Sequence, residues 1–463
     1  MFLRDMFLDR IIKNNQYIHL IGIGGVSMSG IASILLDRGF KVSGSDICKN
    51  PLIINLENKG CKIKIEHNSK NIDNNIGIVV HTAAVGYENN EIKEAIKRKI
   101  PVINRSEFLG ELTKKYNKCI TISGTHGKTT TTSIFSYVMM YNNLDPTILI
   151  GGELDLIGGN FKIGKSDYLL MEACEYKKSF LNFSTDIGVI LNIDKDHLDC
   201  YEDLDDIKDA FCEYAKNIPY DGWLIYCASD KLIGDILDEA KCKKVSYGIG
   251  CGDVNAINIS KTRDSICFDV LYKEKIYDGF RINVIGNHNL LNALSAITFS
   301  LILDFDLINV KKALLDFSLP KRRFEMKGER DGIKIIEDYA HHPTEIKALI
   351  DMTKSLTNGK IYCFFQPHTY SRTLTLLDEF SKSFDGVEEV ILFDIYAARE
   401  KNIWNITFKD LKDKIISTGQ KCHYAKSFDD AVDYMKCKGE RGDIFLVVGA
   451  GNICELSDKF VNV

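Results

Sequence analysis

Short apolar runs alternate with helical patterns along most of the chain. The first run, YIHLIGIGG, starts at Tyr17, and it is followed by apolar positions at Met28 and Ile31 and by the short run KVSGSD. Apolar residues at spacings of three and four predict a helix, whereas short, uniformly apolar runs predict buried strands. This strand–helix–strand alternation continues to about Thr113. It predicts a parallel, Rossmann-like sheet.

The second segment combines two kinds of strand. It opens with the run KCITIS, and the helical pattern SIFSYVMMYNN follows a glycine-containing loop. The runs DYLLMEAC, DIGVILNI and GWLIYC predict further buried strands, whereas the alternating stretch after Asn255, AINISKTRDSICFDVLYKEKIY, predicts antiparallel pairing. A long helix over GNHNLLNALSAITFSLIL completes what we expect to be one mixed α/β domain.

The third segment alternates again after a proline and basic residues near residues 318–321. Its runs IKIIED, KIYCFF, EEVILFDIY and DIFLVVGA predict a second parallel sheet. We therefore predict an α/β protein with a Rossmann-like N-terminal domain over residues 1–114, a central P-loop ATPase-type mixed α/β domain over 115–319 and a Rossmann-like C-terminal domain over 320–463. The border at 318–321 is the expected hinge for domain closure.

Charge and cysteine usage narrow the classes of partner. The 463 residues include 59 Lys plus Arg against 64 Asp plus Glu, a net charge of −5, which gives no general attraction to nucleic acid or anionic lipid. The fourteen cysteines form no C-x-x-C pair, which favours reduced thiols in the cytoplasm. No apolar stretch approaches the roughly 18 residues of a membrane span. The sequence carries no readable sign of oligomeric state.

The loop GTHGKTT, between a predicted strand and a predicted helix, has the composition of a phosphate-binding loop. Gly124 and Gly127 allow backbone N–H groups to approach phosphate oxygens, Lys128 neutralises charge, and the Thr129 hydroxyl suits Mg²⁺. Ile122 stands where the usual G-x-x-x-x-G-K-[ST] spacing has glycine, so the loop is a shortened variant. The alternative is an ordinary strand-to-helix turn with a solvated lysine.

The earlier loop GIGGVS resembles a dinucleotide fingerprint. Its third glycine position is Ser27, and Asp46 ends the next predicted strand, where a ribose hydroxyl would bind. Three interpretations stay open: binding of an NAD-like cofactor, binding of another diphosphate-bearing ligand, or simple tight packing. The triphosphate-type loop later in the chain favours the second.

Two further groups of polar residues follow predicted strands. Glu172 is a candidate Mg²⁺ ligand and His197 a less usual one; the alternatives are a surface carboxylate and a loop or capping histidine. The motif DYAHHPTE is either a helix-capping loop or a set of hydrogen-bonding groups for a reacting ligand. The motifs KRRFE and QPHTYSRT supply cations that suit carboxylate or phosphate, although isolated charges are more often solvated.

Eleven stretches together resemble the Mur ligase family, in the family's order along nearly the whole chain. They are GIGGVSMSGIA, SGSD, SGTHGKTTTTS, EACEYKKSFL, NIDKDHLD, GNHNLLNA, KRRFE, DYAHHPTE, FQPHTYSRT, DIYAARE and VVGAGNI. The resemblance is greatest to the members that add L-alanine. It implies successive domains for a UDP-sugar, for ATP and for the amino acid, with UDP-N-acetylmuramate and L-alanine as substrates and ATP and Mg²⁺, two ions, as cofactors.

The resemblance also implies roles for individual residues. For ATP it implies Gly124, Thr125, His126, Gly127, Lys128, Thr129, Thr130, Asn289, Asn292, Arg323 and Asp338. For the UDP-sugar it implies Gly22, Gly24, Gly25, Asp46, His67 and Arg105. For the amino acid it implies Tyr339, His341, His368 and Arg372, and for magnesium Thr129, Glu172 and His197. The implied catalytic residues are Lys128, His197, Arg323, His341 and Arg372, with His197 or His341 taking the proton of the amine.

Two departures from the family pattern fall on the amino-acid side. The family's FQPH motif often continues with Arg where this chain has Thr369, and its AAGE form is AARE here, with Arg399. Phe211 and Cys212 stand near the place where later Mur ligases carry a modified lysine, so no lysine modification is expected. The rival functions are a ligase for recycled murein tripeptide, an NAD-dependent oxidoreductase and a nucleotide-controlled binding module.

Overall fold

The N-terminal sheet is wholly parallel. We describe a computed structural model that covers residues 10–462 apart from residues 12 and 83. The sheet has the order β3-β2-β1-β4-β5. Its strands are β1 (Tyr17–Ile21), β2 (Lys41–Asp46), β3 (Lys62–Ile65), β4 (Ile76–His81) and β5 (Val102–Asn104). Its helices are α1 (Val26–Asp37), α2 (Pro51–Asn58), α3 (Asn90–Lys97) and α4 (Arg105–Thr113).

The central sheet has ten strands and is mixed. Its order is β15-β14-β13-β12-β11-β10-β6-β9-β7-β8, with antiparallel pairs at β13–β14–β15 and at β7–β8. The strands are β6 (Lys118–Ser123), β7 (Thr147–Leu154), β8 (Gly159–Lys162), β9 (Tyr168–Glu172), β10 (Ile187–Ile190), β11 (Trp223–Cys227), β12 (Lys243–Ile249), β13 (Val254–Lys261), β14 (Ile266–Tyr272) and β15 (Lys275–Ile282). The helices are α5 (Lys128–Tyr141), α6 (Leu204–Lys216), α7 (Lys231–Gly234), α8 (Asn287–Ile302) and α9 (Leu307–Asp316).

The C-terminal sheet is parallel except at one edge. Its order is β16-β17-β21-β18-β19-β20, and β16 pairs antiparallel with β17. The strands are β16 (Glu325–Arg330), β17 (Ile333–Asp338), β18 (Ile361–Phe365), β19 (Glu389–Leu392), β20 (Cys422–Tyr424) and β21 (Ile444–Val448). The helices are α10 (Pro343–Lys354), α11 (Tyr370–Thr375), α12 (Leu377–Ser381), α13 (Phe408–Ser417), α14 (Phe428–Lys438) and α15 (Cys454–Asn462).

The three-sheet α/β architecture predicted from the sequence is confirmed, with differences at its edges. The apolar pattern gave no sign of β3, β7, β8, β12, β16 or β20. Of these, β3, β8, β16 and β20 lie at sheet edges and carry many exposed or half-exposed positions, so their sequences lack a buried run. Helix α5 begins at Lys128 rather than at Ser133, because the phosphate loop leads directly into its first turn.

Packing divides the molecule into two parts. One continuous core runs through the N-terminal and central domains, whereas two separate cores cover the two faces of the C-terminal sheet. The first two domains approach closely: a Cβ on Gly110 would lie 2.3 Å from the Asn182 carbonyl oxygen. The C-terminal domain therefore has its own hydrophobic support. Among the described helices, none has the length and apolar character to cross a bilayer.

Candidate active site

The loop between β6 and α5 has the backbone geometry of an anion cradle. Gly124 and Gly127 have φ values of 135° and 84°, which favour glycine, and a Cβ on Gly124 would lie 2.9 Å from Cβ of Leu191. The loop ends at the N-terminus of α5, where free N–H groups and the helix dipole favour negative charge. These features fit a phosphate group.

Lys128 is held by its own loop and by a buried carboxylate. Its Nζ donates hydrogen bonds to the carbonyl oxygens of Gly124 and Thr125 at 2.6 and 3.0 Å, and it lies 2.9 Å from Oε2 of Glu175. Burial lowers the pKa of Lys128, but the charge and hydrogen bond of Glu175, together with the nearby Cys174 and Glu172, raise it above its usual value. Lys128 is thus a fixed cation at the mouth of the loop.

Glu175 was not singled out by the sequence analysis, although it is the second acid of the motif EACE. Its side chain is 2% exposed, and its Oε1 lies 3.5 Å from Nε2 of His197. His197 itself has φ 56° and packs on the Tyr176 ring, with 5.0 Å between ring centroids. Glu175 therefore connects the two predicted catalytic residues Lys128 and His197.

The predicted magnesium ligands Thr129 and Glu172 lie together. Glu172 accepts a hydrogen bond from the Gly151 N–H at 2.6 Å and another from the Thr129 hydroxyl. Burial raises the pKa of Glu172, which these hydrogen bonds and the charge of Lys128 oppose. A hydroxyl and a carboxylate are the hard oxygen donors that Mg²⁺ prefers, so this pair fits the ion. His197 lies beside Glu175 instead.

A cavity of about 360 Å³ opens between the central and C-terminal domains, beside the phosphate loop. Leu349 and Met352 of α10 contribute apolar wall, and the size suits a nucleotide. Of the residues predicted to bind ATP, the cavity wall contains His126, Gly127, Thr130, Asn289, Asn292, Arg323 and Asp338. The structure thus brings together residues from four distant parts of the chain around one space.

Arg322 and Arg323 have different surroundings. Arg322 donates to Glu337 at 2.8 Å and to the carbonyl oxygens of Gly449 and Gly451, which makes it part of the C-terminal fold. Arg323 lines the cavity with its guanidinium carbon 5.1 Å from the Tyr339 ring centroid. Within the described chain no carboxylate lies within ion-pair distance of Arg323. Its charge is available to a ligand in the cavity.

Asp338 closes β17 and stabilises the backbone around it. Its carboxylate accepts hydrogen bonds from the N–H groups of Phe324 at 2.8 Å and Ala340 at 2.7 Å. Burial raises the pKa of Asp338 to about 6, although the positive charge of Arg323 and these two hydrogen bonds lower it. Asp338 lies in the cavity wall, which fits the contact with the ribose of ATP, or with the hinge beside it, that the family resemblance implies.

His126 joins the central domain to the C-terminal domain. Its Nε2 lies 3.0 Å from Asp194 and its Nδ1 lies 3.1 Å from Glu345, so a doubly protonated ring donates to both carboxylates. Burial lowers the pKa of His126, but the two hydrogen-bonded carboxylates raise it to about 9. Thr344 also donates to Asp194, and Nε2 of His342 donates to the Lys195 carbonyl oxygen. The phosphate loop is therefore hydrogen-bonded directly to the C-terminal domain.

The His126 bridge predicts a pH dependence of stability. Because its folded pKa is raised from 6.5 to about 9, its contribution is complete below pH 6.5 and disappears as pH rises through about 9. The expected loss of stability is on the order of 3 kcal/mol. The neighbouring His342 ring, 4.7 Å away, has its pKa lowered by burial and by His126, and stays neutral.

Thermal unfolding of the ligand-free protein between pH 6 and pH 9.5 checks this expectation, with His126→Gln as the comparison. Glutamine keeps hydrogen bonding but has no charge to lose, so its unfolding midpoint should fall less over this range. Parallel pH curves for the wild type and the variant would contradict the assignment.

The predicted amino-acid pocket forms one cluster beside this interface. The rings of Tyr339 and His341 lie 5.5 Å apart, and those of His341 and His368 lie 6.0 Å apart. Arg372 binds Asp196 through two nitrogens, at 3.0 and 3.3 Å, and its Nη1 donates to Nδ1 of His368 at 3.3 Å. Asp196 thus orients Arg372 from the central domain.

Both pocket histidines are neutral. Burial lowers the pKa of His341 to about 3 and that of His368 to about 4, and the charge of Arg372 contributes to both shifts. Nδ1 of His341 lies 3.1 Å from the Tyr339 carbonyl oxygen, which can only accept, so the proton is on Nδ1. Nε2 of His341 therefore presents a lone pair.

The predicted UDP-sugar loop is fixed by Asp46. The carboxylate of Asp46 accepts a hydrogen bond from the Gly24 N–H at 2.8 Å, and Asn50 donates to the Gly24 carbonyl oxygen. Gly22 has φ 80°, and a Cβ there would lie 2.6 Å from Cγ2 of Thr82. Gly25 precedes α1. Asp46 thus shapes the loop, a role the sequence analysis did not assign to it.

The other two predicted UDP-side residues flank the loop. Arg105 donates to the Ser27 hydroxyl at 2.7 Å, which puts its charge at the start of α1. Nδ1 of His67 lies 2.9 Å from the Ser45 hydroxyl, in a network around the fully buried Glu91. Sequence reasoning missed Glu91, because a charged residue in an amphipathic helix gives no signal of burial.

Comparison with known proteins adds independent findings. Three family models match in succession: "Mur ligase family, catalytic domain" over residues 17–117, "Mur ligase middle domain" over 122–300 and "Mur ligase, glutamate ligase domain" over 322–451. The chain is 51% identical over 454 residues to a UDP-N-acetylmuramate–L-alanine ligase of Clostridium acetobutylicum, which covers 97% of this chain and 99% of that protein.

Solved structures agree with this. The crystal structure of a UDP-N-acetylmuramate–alanine ligase from Thermotoga maritima matches with a TM-score of 0.80 at 29% identity, over 96% of this chain and 98% of that one. A murein peptide ligase from Psychrobacter arcticus matches with a TM-score of 0.72 at 22% identity, over 97% of this chain and 99% of that one. The second similarity concerns the fold alone.

Proposed function

Because the chain belongs to the Mur ligase family, we propose that it is an ATP-dependent ligase that joins L-alanine to the lactyl carboxylate of UDP-N-acetylmuramate. This is the first amino-acid addition to a peptidoglycan precursor. The observation that carries the proposal is that the phosphate loop and Arg323 line one interdomain cavity, and that the Arg323 guanidinium packs 5.1 Å from the ring of Tyr339 in the neighbouring histidine cluster. The high identity to the Clostridium acetobutylicum ligase supports alanine as the amino acid.

The chemistry requires ATP because a free carboxylate has no usable leaving group for attack by an amine. In the first step a lactyl carboxylate oxygen attacks the γ-phosphorus, the bond to the β-phosphate oxygen breaks, and ADP leaves. In the second step the neutral amine of alanine attacks the acyl phosphate carbon. The carbon–oxygen bond then breaks, phosphate leaves, and the nitrogen loses a proton to give the amide.

Lys128 and Arg323 would neutralise the negative charge on the phosphoryl group during its transfer. Lys128 is already at the loop mouth, and ATP would replace Glu175 as its main partner. Arg323 would reach the phosphates from the C-terminal side of the cleft. Thr129 and Glu172 would hold one Mg²⁺, which when bound neutralises phosphate charge. Glu175 and His197 would serve a second ion.

His341 is our preferred acceptor for the amine proton. Its Nε2 carries a lone pair, and its ring lies in the cluster with His368 and Tyr339. Its pKa of about 3 leaves the lone pair unprotonated at the working pH, and the negative charge of a bound acyl phosphate beside the ring would raise that pKa toward the range in which the ring can take the proton. Arg372, oriented by Asp196, suits the carboxylate of the amino acid.

Phosphate release from ATP tests the function directly. Purified protein is given ATP, Mg²⁺ and UDP-N-acetylmuramate, and L-alanine, L-serine, glycine or murein tripeptide is added in turn. We expect release that depends on both the sugar and alanine, with formation of the alanyl product. Release with tripeptide but not with alanine would indicate the recycling ligase. Oxidation or reduction of a nicotinamide cofactor would indicate an oxidoreductase instead.

A further inference from the structure

Three side chains at the contact between the central and C-terminal domains have the spacing of a metal site. They are His126 and Asp194 of the central domain and His342 of the C-terminal domain, and one potential ligand atom from each lies within 4.8 Å of the other two. Nε2 of His126 lies 3.0 Å from Oδ2 of Asp194, and Nδ1 of His342 lies 3.8 Å from the same oxygen. Tetrahedral zinc ligands, bound at about 2.0–2.1 Å, lie roughly 3.3 Å apart, so small shifts complete the site.

Both histidines are oriented from their other ring nitrogen. Nδ1 of His126 lies 3.1 Å from the Glu345 carboxylate, and Nε2 of His342 lies 3.1 Å from the carbonyl oxygen of Lys195. A carbonyl oxygen only accepts, so the neutral His342 ring carries its proton on Nε2 and its lone pair on Nδ1. Histidines that bind metals almost always donate their second nitrogen to a carboxylate or a carbonyl oxygen in this way. The two rings therefore have the outer partners of a metal centre as well as its ligand atoms.

In the structure a proton holds this contact. The His126 ring donates to Asp194, and Nδ1 of the buried His342 accepts only a long hydrogen bond of 3.3 Å, from the Thr344 N–H. A divalent ion would displace the proton from Nε2 of His126 and replace that long hydrogen bond. The same three side chains would then be joined through one ion instead of one proton.

The donor set distinguishes this cluster from the magnesium ligands. Two imidazole nitrogens and one carboxylate suit Zn²⁺, whereas Mg²⁺ prefers oxygen ligands and keeps several waters. His126 and Asp194 also line the cavity of about 360 Å³, so a water from that cavity would complete the tetrahedron. Thr129 and Glu172 offer only oxygen, so the two kinds of ion have different sites.

We propose that His126, Asp194 and His342 bind a zinc-type divalent cation that clamps the central and C-terminal domains together and thereby inhibits turnover. Substrate entry and product release require the cleft to open, and an ion with ligands on both domains opposes that opening. The metal site itself does not depend on the proposed function. The inhibition rests on it, because inhibition is measured as a loss of ligation.

Binding is tested on the full chain without nucleotide, by calorimetry with Zn²⁺ and by absorption with Co²⁺ as its spectroscopic substitute. We expect one strong site in the wild type, with the visible bands of tetrahedral Co²⁺ and without the intense ultraviolet band of a cobalt–thiolate bond. That band is the necessary check, because the chain has fourteen cysteines. Zinc should also raise the unfolding midpoint. A thiolate spectrum for the strong site, or no saturable binding, would overturn the proposal.

His342→Asn removes the ligand of the C-terminal domain and keeps a helix cap, because His342 is the N-cap of α10 and asparagine suits that position. Its zinc affinity should fall by more than the roughly 10- to 100-fold that loss of an outer partner costs. His423→Asn is the matched control, since His423 lies on the edge strand β20 and stacks on Tyr434. Equal zinc affinity in the wild type and His342→Asn would overturn the site. If His342→Asn does not fold, Asp194→Asn gives the same comparison.

Inhibition is measured as loss of sugar- and alanine-dependent phosphate release in a fixed excess of Mg²⁺, with free Zn²⁺ set by a metal buffer because ATP itself binds zinc. Relative to its own zinc-free rate, His342→Asn should need at least about 10-fold more zinc than the wild type or His423→Asn for the same inhibition. Zinc that binds these residues yet leaves turnover unchanged would overturn the clamp. If the wild type shows no turnover with these substrates, the proposed function fails, and calorimetry and the cobalt spectrum still decide the metal site.

Discussion

Replacing Lys128 by alanine is expected to lower sugar- and alanine-dependent phosphate release by about 10²- to 10³-fold, because the developing charge on the transferred phosphoryl group loses its fixed cation. The effect should appear in kcat. Lys216→Ala is the matched control. Lys216 is the exposed last residue of α6, and its only ion-pair partner among the described residues is the exposed Glu239. Near-wild-type turnover of Lys128→Ala would contradict the role of the loop.

A stability effect must be separated from this catalytic effect. Removing Lys128 leaves the buried carboxylate of Glu175 without its nearest cation, and an unpaired buried charge costs about 3–5 kcal/mol. The double variant Lys128→Ala/Glu175→Gln removes both charges. We expect it to recover the thermal stability of the wild type while remaining inactive. Recovery of turnover as well would mean that Lys128 acts only through folding.

Arg323→Ala is expected to lower kcat by about 10²- to 10³-fold while leaving the unfolding midpoint unchanged, since the cavity-facing guanidinium has no carboxylate partner among the described residues. The neighbouring residue provides the contrast. Arg322→Ala removes the nearest cation of the buried Glu337 and leaves only Lys327, at 3.7 Å, so we expect it to lower the unfolding midpoint by about 5 °C or more.

Steady-state kinetics and calorimetry on these two variants check the contrast. If Arg323→Ala unfolded at lower temperature and Arg322→Ala retained full stability, the structural and catalytic roles of the two arginines would have to be exchanged. If Arg323→Ala kept its kcat, the C-terminal domain would not contribute charge to phosphoryl transfer.

The sequence predicted the features that depend on local pattern. The loop around Gly124 and Gly127 was recognisable because its glycines, lysine and threonine follow a buried strand and precede a helix, and local geometry then determines where the backbone N–H groups point. Parallel and antiparallel segments were likewise predictable from continuous and alternating apolar runs. These signals need no knowledge of distant contacts.

The electrostatic partners were not predictable in this way. The pairing of Lys128 with Glu175 depends on the path of the chain after β9, and the bridge from His126 to Glu345 depends on how two domains dock. Nothing in a local window distinguishes Glu175 or Glu345 from a solvated acid. The same applies to Asp46, whose carboxylate holds the Gly24 backbone rather than standing free.

The central claim, transfer of a phosphoryl group from ATP to the sugar's carboxylate, is tested most directly by isotope transfer. UDP-N-acetylmuramate carrying oxygen-18 in its lactyl carboxylate is turned over with ATP and L-alanine, and the phosphate released is analysed by mass spectrometry. The account predicts one labelled oxygen in each phosphate, since the bond that breaks joins that oxygen to the acyl carbon. Unlabelled phosphate formed alongside the alanyl product would contradict it.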